Sequence, residues 1–261
     1  MSIITLTTDF GLADGYVGAM KGVILSINPT ATVIDISHDI APQDVRGAAY
    51  VIYTAYPYFP PGTVHVVVVD PGVGTQRQAI ALRTPQARFV APDNGVLTYV
   101  VAYDTVEEVV SLTNPRYWLP HVSHTFHGRD IFAPAAAHLA KGVPLTELGE
   151  PLDEIITFTL PRPHRRPDGA LVGQIIHIDR FGNLITSIKS ADLTDASRSV
   201  VEVGGRRIAG IRRTYAEAER GDLVAYVGSA GHLEIAVREG HAARTLGAKV
   251  GDEVVLVANR R

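Results

Sequence analysis

The stretch VHVVVVDPGVGTQRQAIAL, residues 64–82, holds the side chains best suited to chemistry. An apolar run ends in Asp70, a short glycine-bearing loop follows, and Arg77 comes next. If both side chains lie at the same end of their strands, the carboxylate and the guanidinium can pair and orient a polar group. The same pattern also fits a strand-ending turn with a surface salt bridge.

The glycines of this loop superficially resemble the nucleotide cradle of methyltransferases. Such a cradle needs a further glycine and a helix whose N-terminus faces the ligand. Here Gln76 follows GVGT, and RQAIALRT alternates as a strand does. We therefore predict a hairpin-like unit of two strands, which places Asp70 and Arg77 at one end and in loops. Substitution of loop residues should leave folding intact.

A second chemistry-bearing stretch is HVSHTFHGRDIF, residues 121–132. Pro120 and Gly128 indicate a loop, where a spacing of three does not align imidazoles on one face. His127 stands directly before a predicted helix, and its ordinary pKa of ~6.5 suits a metal-free role in proton transfer. One alternative remains open, a metal-dependent hydrolase built from Asp9, Asp14, Asp70, His121, His124 and His127.

The composition limits the classes of function. The chain has 261 residues, 46% hydrophobic and 20% charged, which suffices for one large or two modest domains. A net charge of -3 gives no long-range attraction to nucleic acid or to anionic lipid. No apolar run reaches the ~20 residues of a membrane span, and the start lacks a secretory signal, so we expect a cytoplasmic protein. The absence of cysteine excludes thiolate nucleophiles, cysteine-bound metals and disulfides.

The first half alternates strands and helices. Residues 3–8, 32–37 and 63–69 are rich in β-branched residues, and the segments between them carry apolar residues at helical spacing. This βαβαβ order predicts an α/β domain with a mostly parallel sheet. Ligands bind at the carboxyl ends of such strands, which here carry Asp9, His38 and Asp70.

The second half has a different pattern. Residues 161–169, PRPHRRPDG, read as an exposed linker between domains. Short alternating runs follow, separated by Gly, Asn and Asp. We predict an α/β catalytic domain over residues 1–160, the linker, and an all-β barrel domain over residues 170–261.

Five motifs together resemble a known family. They are TTDFG at residues 7–11, DPGVGT with Arg77, HGRDIF at 127–132, IDRFGN at 178–183 and GSAGHLEIAV at 228–237. Their order and spacing are similar to those of the adenosine-forming S-adenosylmethionine hydrolases, also called hydroxide adenosyltransferases, relatives of fluorinase and chlorinase. The resemblance implies an N-terminal α/β domain, a C-terminal β-barrel and a homotrimer with sites between subunits.

The resemblance also implies roles for individual residues. It implies that the catalytic set is Asp70, Arg77 and His127. The substrate-binding residues that it implies are Asp9, Asp70, Asn183, Tyr215, Ser229, Glu234 and Ala236. At the position of Asp70 fluorinase has a tyrosine, and at that of Gly128 it has a halide-binding serine, so this chain resembles the water-using branch.

The implied reaction is hydrolysis of S-adenosylmethionine to adenosine and L-methionine, by attack of an activated water on the 5′ carbon of the ribose. The resemblance implies no cofactor and no metal. Two other interpretations stay open: a module that binds S-adenosylmethionine or a nucleoside without turnover, and a halogenase-like enzyme.

Overall fold

The computed structural model describes residues 2–193 and 199–258. The chain divides into two compact units, Met1–Thr159 and Leu160–Arg261. The first unit contains a seven-stranded sheet with helices, and the second contains an eight-stranded sheet. Within the described ranges, no helix is both long enough and apolar enough to cross a membrane.

A mixed sheet forms the centre of the first unit. Its strands are β1 (Ile3–Thr8), β2 (Thr32–Ser37), β3 (Thr63–Val68), β4 (Ala79–Arg83), β5 (Ala87–Pro92), β6 (Glu108–Ser111) and β7 (Glu150–Pro151), in the spatial order β2-β1-β3-β5-β4-β6-β7. The pairs β1–β2, β1–β3 and β3–β5 are parallel, whereas β4–β5, β4–β6 and β6–β7 are antiparallel. The prediction of a mostly parallel sheet is therefore not confirmed. Antiparallel pairing follows because β4 and β5 are joined by a turn too short for a parallel crossover.

The predicted hairpin of the opening stretch is also wrong. Strand β5 lies between β3 and β4, pairing in parallel with the first and antiparallel with the second. Strand β3 is buried along its whole length, so it needs a hydrogen-bonding neighbour on both edges, and β1 and β5 provide them. The loop after β3 must consequently cross the end of β5 to reach β4.

Helices cover both faces of this sheet. They are α1 (Tyr16–Ile27), α2 (Val45–Ala55), α3 (Thr98–Tyr103) and α4 (Ala133–Ala140). One core cluster joins α1 and α4 to side chains such as Leu6 and Val66, and another joins α2 and α3 to Val67 and Phe89. Neighbouring residues of β3 thus face opposite cores, because strand side chains alternate.

The second unit is built on a strongly curved sheet. Its strands are β8 (His164–Arg165), β9 (Leu171–Ile178), β10 (Leu184–Lys189), β11 (Ser199–Val203), β12 (Arg206–Ala209), β13 (Leu223–Val227), β14 (His232–Val237) and β15 (Glu253–Ala258). The main path runs β12-β11-β15-β9-β10-β14-β13, and β8 pairs with β9 from within the predicted linker. All these pairs are antiparallel.

The ends of this sheet nearly meet, which makes it barrel-like. After β12 the chain returns to β13, where the Arg212 N–H donates to the Ala225 carbonyl over 2.7 Å. One core cluster fills the interior, with Ile175, Leu184, Val201 and Ile235 among its members. A short helix, α5 (Ala242–Leu246), accompanies the strands.

Candidate active site

A buried ion pair joins Asp70 and Arg77. Asp70 follows β3 and Arg77 precedes β4, and the Arg77 Nε donates to both Asp70 oxygens over 2.8 and 3.0 Å. A terminal guanidinium nitrogen also contacts the Asp70 Oδ2. The side chains of Arg77 and Asp70 are 9% and 6% exposed, so the surface salt bridge considered from the sequence does not describe this pair. A bidentate buried pair holds both groups in one orientation.

The loop between these residues depends on Gly74. Its φ is +78°, a conformation that other L residues rarely adopt. A Cβ at this position would also lie 2.6 Å from the backbone oxygen of His124. The close approach therefore brings the loop after β3 against the loop that carries the histidines.

His127 joins the pair as a third member. A terminal nitrogen of Arg77 lies 3.1 Å from the His127 Nδ1. Because a guanidinium only donates hydrogen bonds, Nδ1 must accept, and the imidazole proton resides on Nε2. Burial, and then the charge of Arg77, lower the pKa of His127 from its ordinary value. The imidazole is thus neutral at neutral pH and presents an N–H donor.

Asp130 shapes the loop that carries His127. Its carboxylate is fully buried and accepts from the Ser123 N–H and hydroxyl over 2.8 and 2.6 Å and from the Arg129 Nε over 2.6 Å. The Ser123 hydroxyl oxygen in turn accepts from the Phe126 N–H. The chain then forms a π-type turn, Gly128–Phe132, before α4. Sequence reasoning missed Asp130, although a carboxylate at the start of a predicted helix is a recognisable signal.

The other two histidines of this stretch remain apart from the pair. His121 and His124 are exposed, and only His127 of the three contacts Arg77. In the part of the chain that the structure describes, no group of three or more His, Asp or Glu side chains is arranged to hold a metal ion.

A cavity of about 540 Å³ opens beside this cluster. Asp9, Asp70 and His127 line it, together with an aromatic group formed by Phe10, Tyr16 and Phe126. The ring centroids of this group lie 5.2 to 5.8 Å apart. The cavity therefore combines carboxylates, an imidazole and an apolar wall, as small-molecule sites commonly do.

Asp9 enters the cavity from the end of β1. Its Oδ2 accepts from the Gln43 N–H over 2.8 Å, and Gln43 has a positive φ of +66°. Positive φ is uncommon for a residue other than glycine and often occurs at functional sites. The structure thus brings together all four residues that the sequence placed in the first domain: Asp9, Asp70, Arg77 and His127.

In the second unit, Asn183 ends a tight turn after β9. Its backbone N–H donates to Asp179 Oδ1 over 2.8 Å, and its side-chain amide donates to Oδ2 over 2.9 Å. Gly182 has a φ of +82°, and a Cβ there would overlap the ring of His241. Asn183 is therefore held rigidly, with its amide oxygen left to accept.

Glu234 is held by a tyrosine that sequence reasoning did not single out. The Tyr226 hydroxyl donates to Glu234 Oε2 over 2.7 Å, and burial raises the pKa of Glu234. A Cβ at Gly228 would overlap the Glu234 carboxylate, so this packing requires glycine. The ring of Tyr215 lies 5.6 Å from that of Tyr226 and is largely exposed.

The remaining two predicted residues lie on the same hairpin. Ser229 is exposed in the turn that joins β13 to β14. Ala236 is buried, pairs with Val224 across the strands and packs with Tyr226. The second unit thus groups Tyr215, Ser229, Glu234 and Ala236 on and beside one pair of strands.

Comparisons with known proteins identify the family. Residues 4–149 match the SAM hydroxide adenosyltransferase N-terminal domain, and residues 173–255 match the corresponding C-terminal domain. The chain is 43% identical to an (R)-S-adenosyl-L-methionine hydrolase of Thermus thermophilus, covering 98% of this chain and 100% of the relative. A fluorinase of an Actinoplanes species is 33% identical over 90% of each chain.

A solved structure agrees with these matches. The crystal structure of a conserved protein from Thermotoga maritima superposes with a TM-score of 0.91 at 42% identity, covering 97% of this chain and 99% of the other. The resemblance drawn from the five sequence motifs is confirmed. The chain belongs to the SAM hydroxide adenosyltransferase family.

Proposed function

We propose that this protein hydrolyses S-adenosylmethionine to adenosine and L-methionine, by attack of water on the 5′ carbon of the ribose. The observation that carries the proposal is the hydrogen-bonded set of Asp70, Arg77 and His127 beside a cavity. Membership of the family and about 40% identity to (R)-S-adenosyl-L-methionine hydrolases over nearly the whole chain support it.

The substrate needs a nucleophile rather than an acid. The sulfonium makes the 5′ carbon electrophilic, and methionine leaves as a neutral thioether. In the reaction a water oxygen bonds to the 5′ carbon, the carbon–sulfur bond breaks with its electron pair going to sulfur, and one water proton is released. The protein's task is to hold the water in line with that bond and favour its hydroxide character.

Each member of the set has a role that its hydrogen bonds allow. The His127 Nε2–H can donate to the water oxygen, because Nδ1 is engaged by Arg77. The Asp70 carboxylate retains acceptor capacity beyond its bonds to Arg77, so it can accept a hydrogen from the water and orient the substrate. Arg77 fixes both groups and supplies a positive charge that favours hydroxide.

We further propose how the substrate is bound. Asp9 has a carboxylate suited to accept from the two ribose hydroxyls, while Asp70 lies nearer the reacting carbon. Adenine and the rest of the substrate would contact the second-unit residues, whose acceptors and apolar surface suit a purine. These residues are Asn183, Tyr215, Ser229, Glu234 and Ala236.

Assembly is part of the proposal. We infer a homotrimer whose sites combine the first unit of one chain with the second unit of the next. Each unit has exposed apolar side chains that such an interface could cover: Leu12 and Tyr16 on the first, Phe181 and Tyr215 on the second. Light scattering combined with activity across dilution tests it, and an active monomer would refute the shared site. A cytoplasmic location stays a prediction.

Product analysis in oxygen-18 water tests the reaction. We expect labelled adenosine and unlabelled methionine by mass spectrometry. Unlabelled adenosine, free adenine or S-adenosylhomocysteine as the main product would refute the assignment. Binding of S-adenosylmethionine without any product would favour the module without turnover, and loss of activity in chelator-treated protein would revive the metal-dependent alternative.

A further inference from the structure

Two threonines of β1 each pair with a histidine from a neighbouring segment, His65 on β3 and His38 just after β2. Thr5 Oγ1 is 2.7 Å from the Nδ1 of His65, and Thr8 Oγ1 is 2.8 Å from the Nδ1 of His38. Both threonines and both histidines are buried. The two pairs share one chemistry, so a difference between their roles must come from what else each pair contacts.

The hydrogen bonds of the Thr8 hydroxyl show which of them it accepts and which it donates. Its oxygen accepts from the Phe10 N–H over 3.2 Å. Because Thr8 is fully buried, its own hydroxyl proton also needs an acceptor, and among the described residues the His38 Nδ1 is in place to accept it. The proton of His38 then lies on Nε2, 3.0 Å from Asp35 Oδ1. The carboxylate at this distance favours a proton on Nε2.

His38 contacts the turn after Thr8 through its backbone as well as through its side chain. The Gly11 N–H donates to the His38 backbone carbonyl over 2.8 Å. Asp9 lies between these fixed points, and its own carboxylate accepts from the Gln43 N–H. The direction of the Asp9 side chain into the cavity is therefore set by contacts that converge on the segment from His38 to Gln43.

We propose that His38 is a positioning residue for substrate binding: acting through Thr8, it holds the turn of residues 9–11 so that Asp9 is presented to the ribose. His38 is not among the residues that line the cavity, so it acts only through others. The inference rests on the proposed function for the identity of the ligand. Its mechanical part, the holding of the turn, is independent of any ligand.

The second pair provides a matched control. Thr5 lies further from the cavity end of β1 than Thr8 does, and His65 faces it from the neighbouring strand β3. The His65 ring stacks on Phe89, with ring centroids 5.3 Å apart. Neither residue lines the cavity. Thr5→Val and Thr8→Val therefore remove the same hydroxyl from the same strand, but only Thr8→Val removes an acceptor from the turn that carries Asp9.

Binding of adenosine and of 2′,3′-dideoxyadenosine to the intact protein, measured by calorimetry, tests the proposal together with steady-state kinetics. In Thr8→Val we expect KM and the Kd of adenosine to rise roughly 3- to 10-fold, with kcat little changed. The dideoxy compound, which lacks the 2′ and 3′ hydroxyls that Asp9 would bind, should bind equally to the variant and the wild type. Thr8→Ser, which keeps the hydroxyl, should bind adenosine like the wild type.

Two further measurements separate positioning from general stability. His38→Asn, which retains an acceptor near the position of Nδ1, should bind adenosine more tightly than His38→Leu. Amide hydrogen exchange over residues 9–11 should accelerate in Thr8→Val and not in Thr5→Val, whatever the melting temperatures of the two variants.

The results also distinguish the two proposals. Unchanged adenosine affinity in Thr8→Val, or an equal loss in Thr5→Val, would overturn the positioning role. Wild-type protein that neither binds adenosine nor releases it would instead overturn the proposed function. In that case the exchange experiment still decides whether His38 and Thr8 hold the turn.

Discussion

Replacing Arg77 by methionine should destabilise the protein as well as stop turnover. The substitution keeps much of the side-chain length but leaves the Asp70 carboxylate, only 6% exposed, without its partner. Breaking a buried ion pair by removing one member typically costs about 3–5 kcal/mol. In a domain of this size that corresponds to a fall in Tm of roughly 6–20 °C.

A second variant tests the cause. Asp70→Asn combined with Arg77→Met removes the stranded charge, so we expect it to recover more than about 1 kcal/mol relative to Arg77→Met alone. Arg83→Met is the matched control: Arg83, at the end of β4, contacts Glu107 and Glu108 with a side chain 45% exposed. Exposed pairs contribute ~0–1 kcal/mol, so its Tm should barely change.

Urea unfolding followed by circular dichroism measures these free energies, and release of adenosine measures turnover. Both variants that lack Arg77 should be inactive, since the partner of His127 is lost. A loss below about 1 kcal/mol in Arg77→Met, or a double variant no more stable than the single one, would refute the account of a buried and mutually dependent pair.

Three further outcomes follow from the site. As pH falls, kcat/KM should decline with an apparent pKa below the ordinary 6.5 of histidine, because protonated His127 can no longer accept through Nδ1; a midpoint above that value would contradict the assignment. Gly128→Ser should lower kcat/KM, because a Cβ there would lie 3.2 Å from the Phe126 ring, and any gain in halide transfer measured by product chromatography would argue against this crowding. Gly74→Ala should destabilise the protein by roughly 1–3 kcal/mol in the same urea assay through its positive φ and its approach to His124, and an unchanged midpoint would refute that strain.

Local sequence patterns correctly predicted the first strands of the chain. The strands at residues 3–8 and 32–37 have the predicted bounds, because β-branched runs between polar turns are a strictly local signal. The signal is weaker at β11 and β12 of the second unit, because Val200, Val201 and Val203 form only a short apolar run. Short runs carry too little pattern to separate strand from loop.

The order of the strands in the sheet could not be predicted from local sequence patterns. The sequence correctly placed Asp70 and Arg77 at one end of their strands, but through a hairpin that does not exist, because β5 inserts between β3 and β4. A buried strand must have hydrogen-bonding partners for the backbone groups on both of its edges, and this requirement decides which strands pair. The partners come from residues that are distant in the chain. The loop position of Asp70 and Arg77 led to the expectation that their substitution leaves folding intact, whereas the burial of the pair leads us to predict destabilisation.

The sequence by itself determined the family, the chemical types at the site and the choice of His127 over its neighbouring histidines, since residue types and motif order are written along the chain. Only the tertiary structure decided how these groups act on one another: the tautomer of His127, the burial of the Asp70–Arg77 pair, and the supporting residues Asp130 and His38. The physical reason is that hydrogen-bond polarity and desolvation depend on which atoms meet in space, and contacts between distant segments leave no periodic signal in sequence.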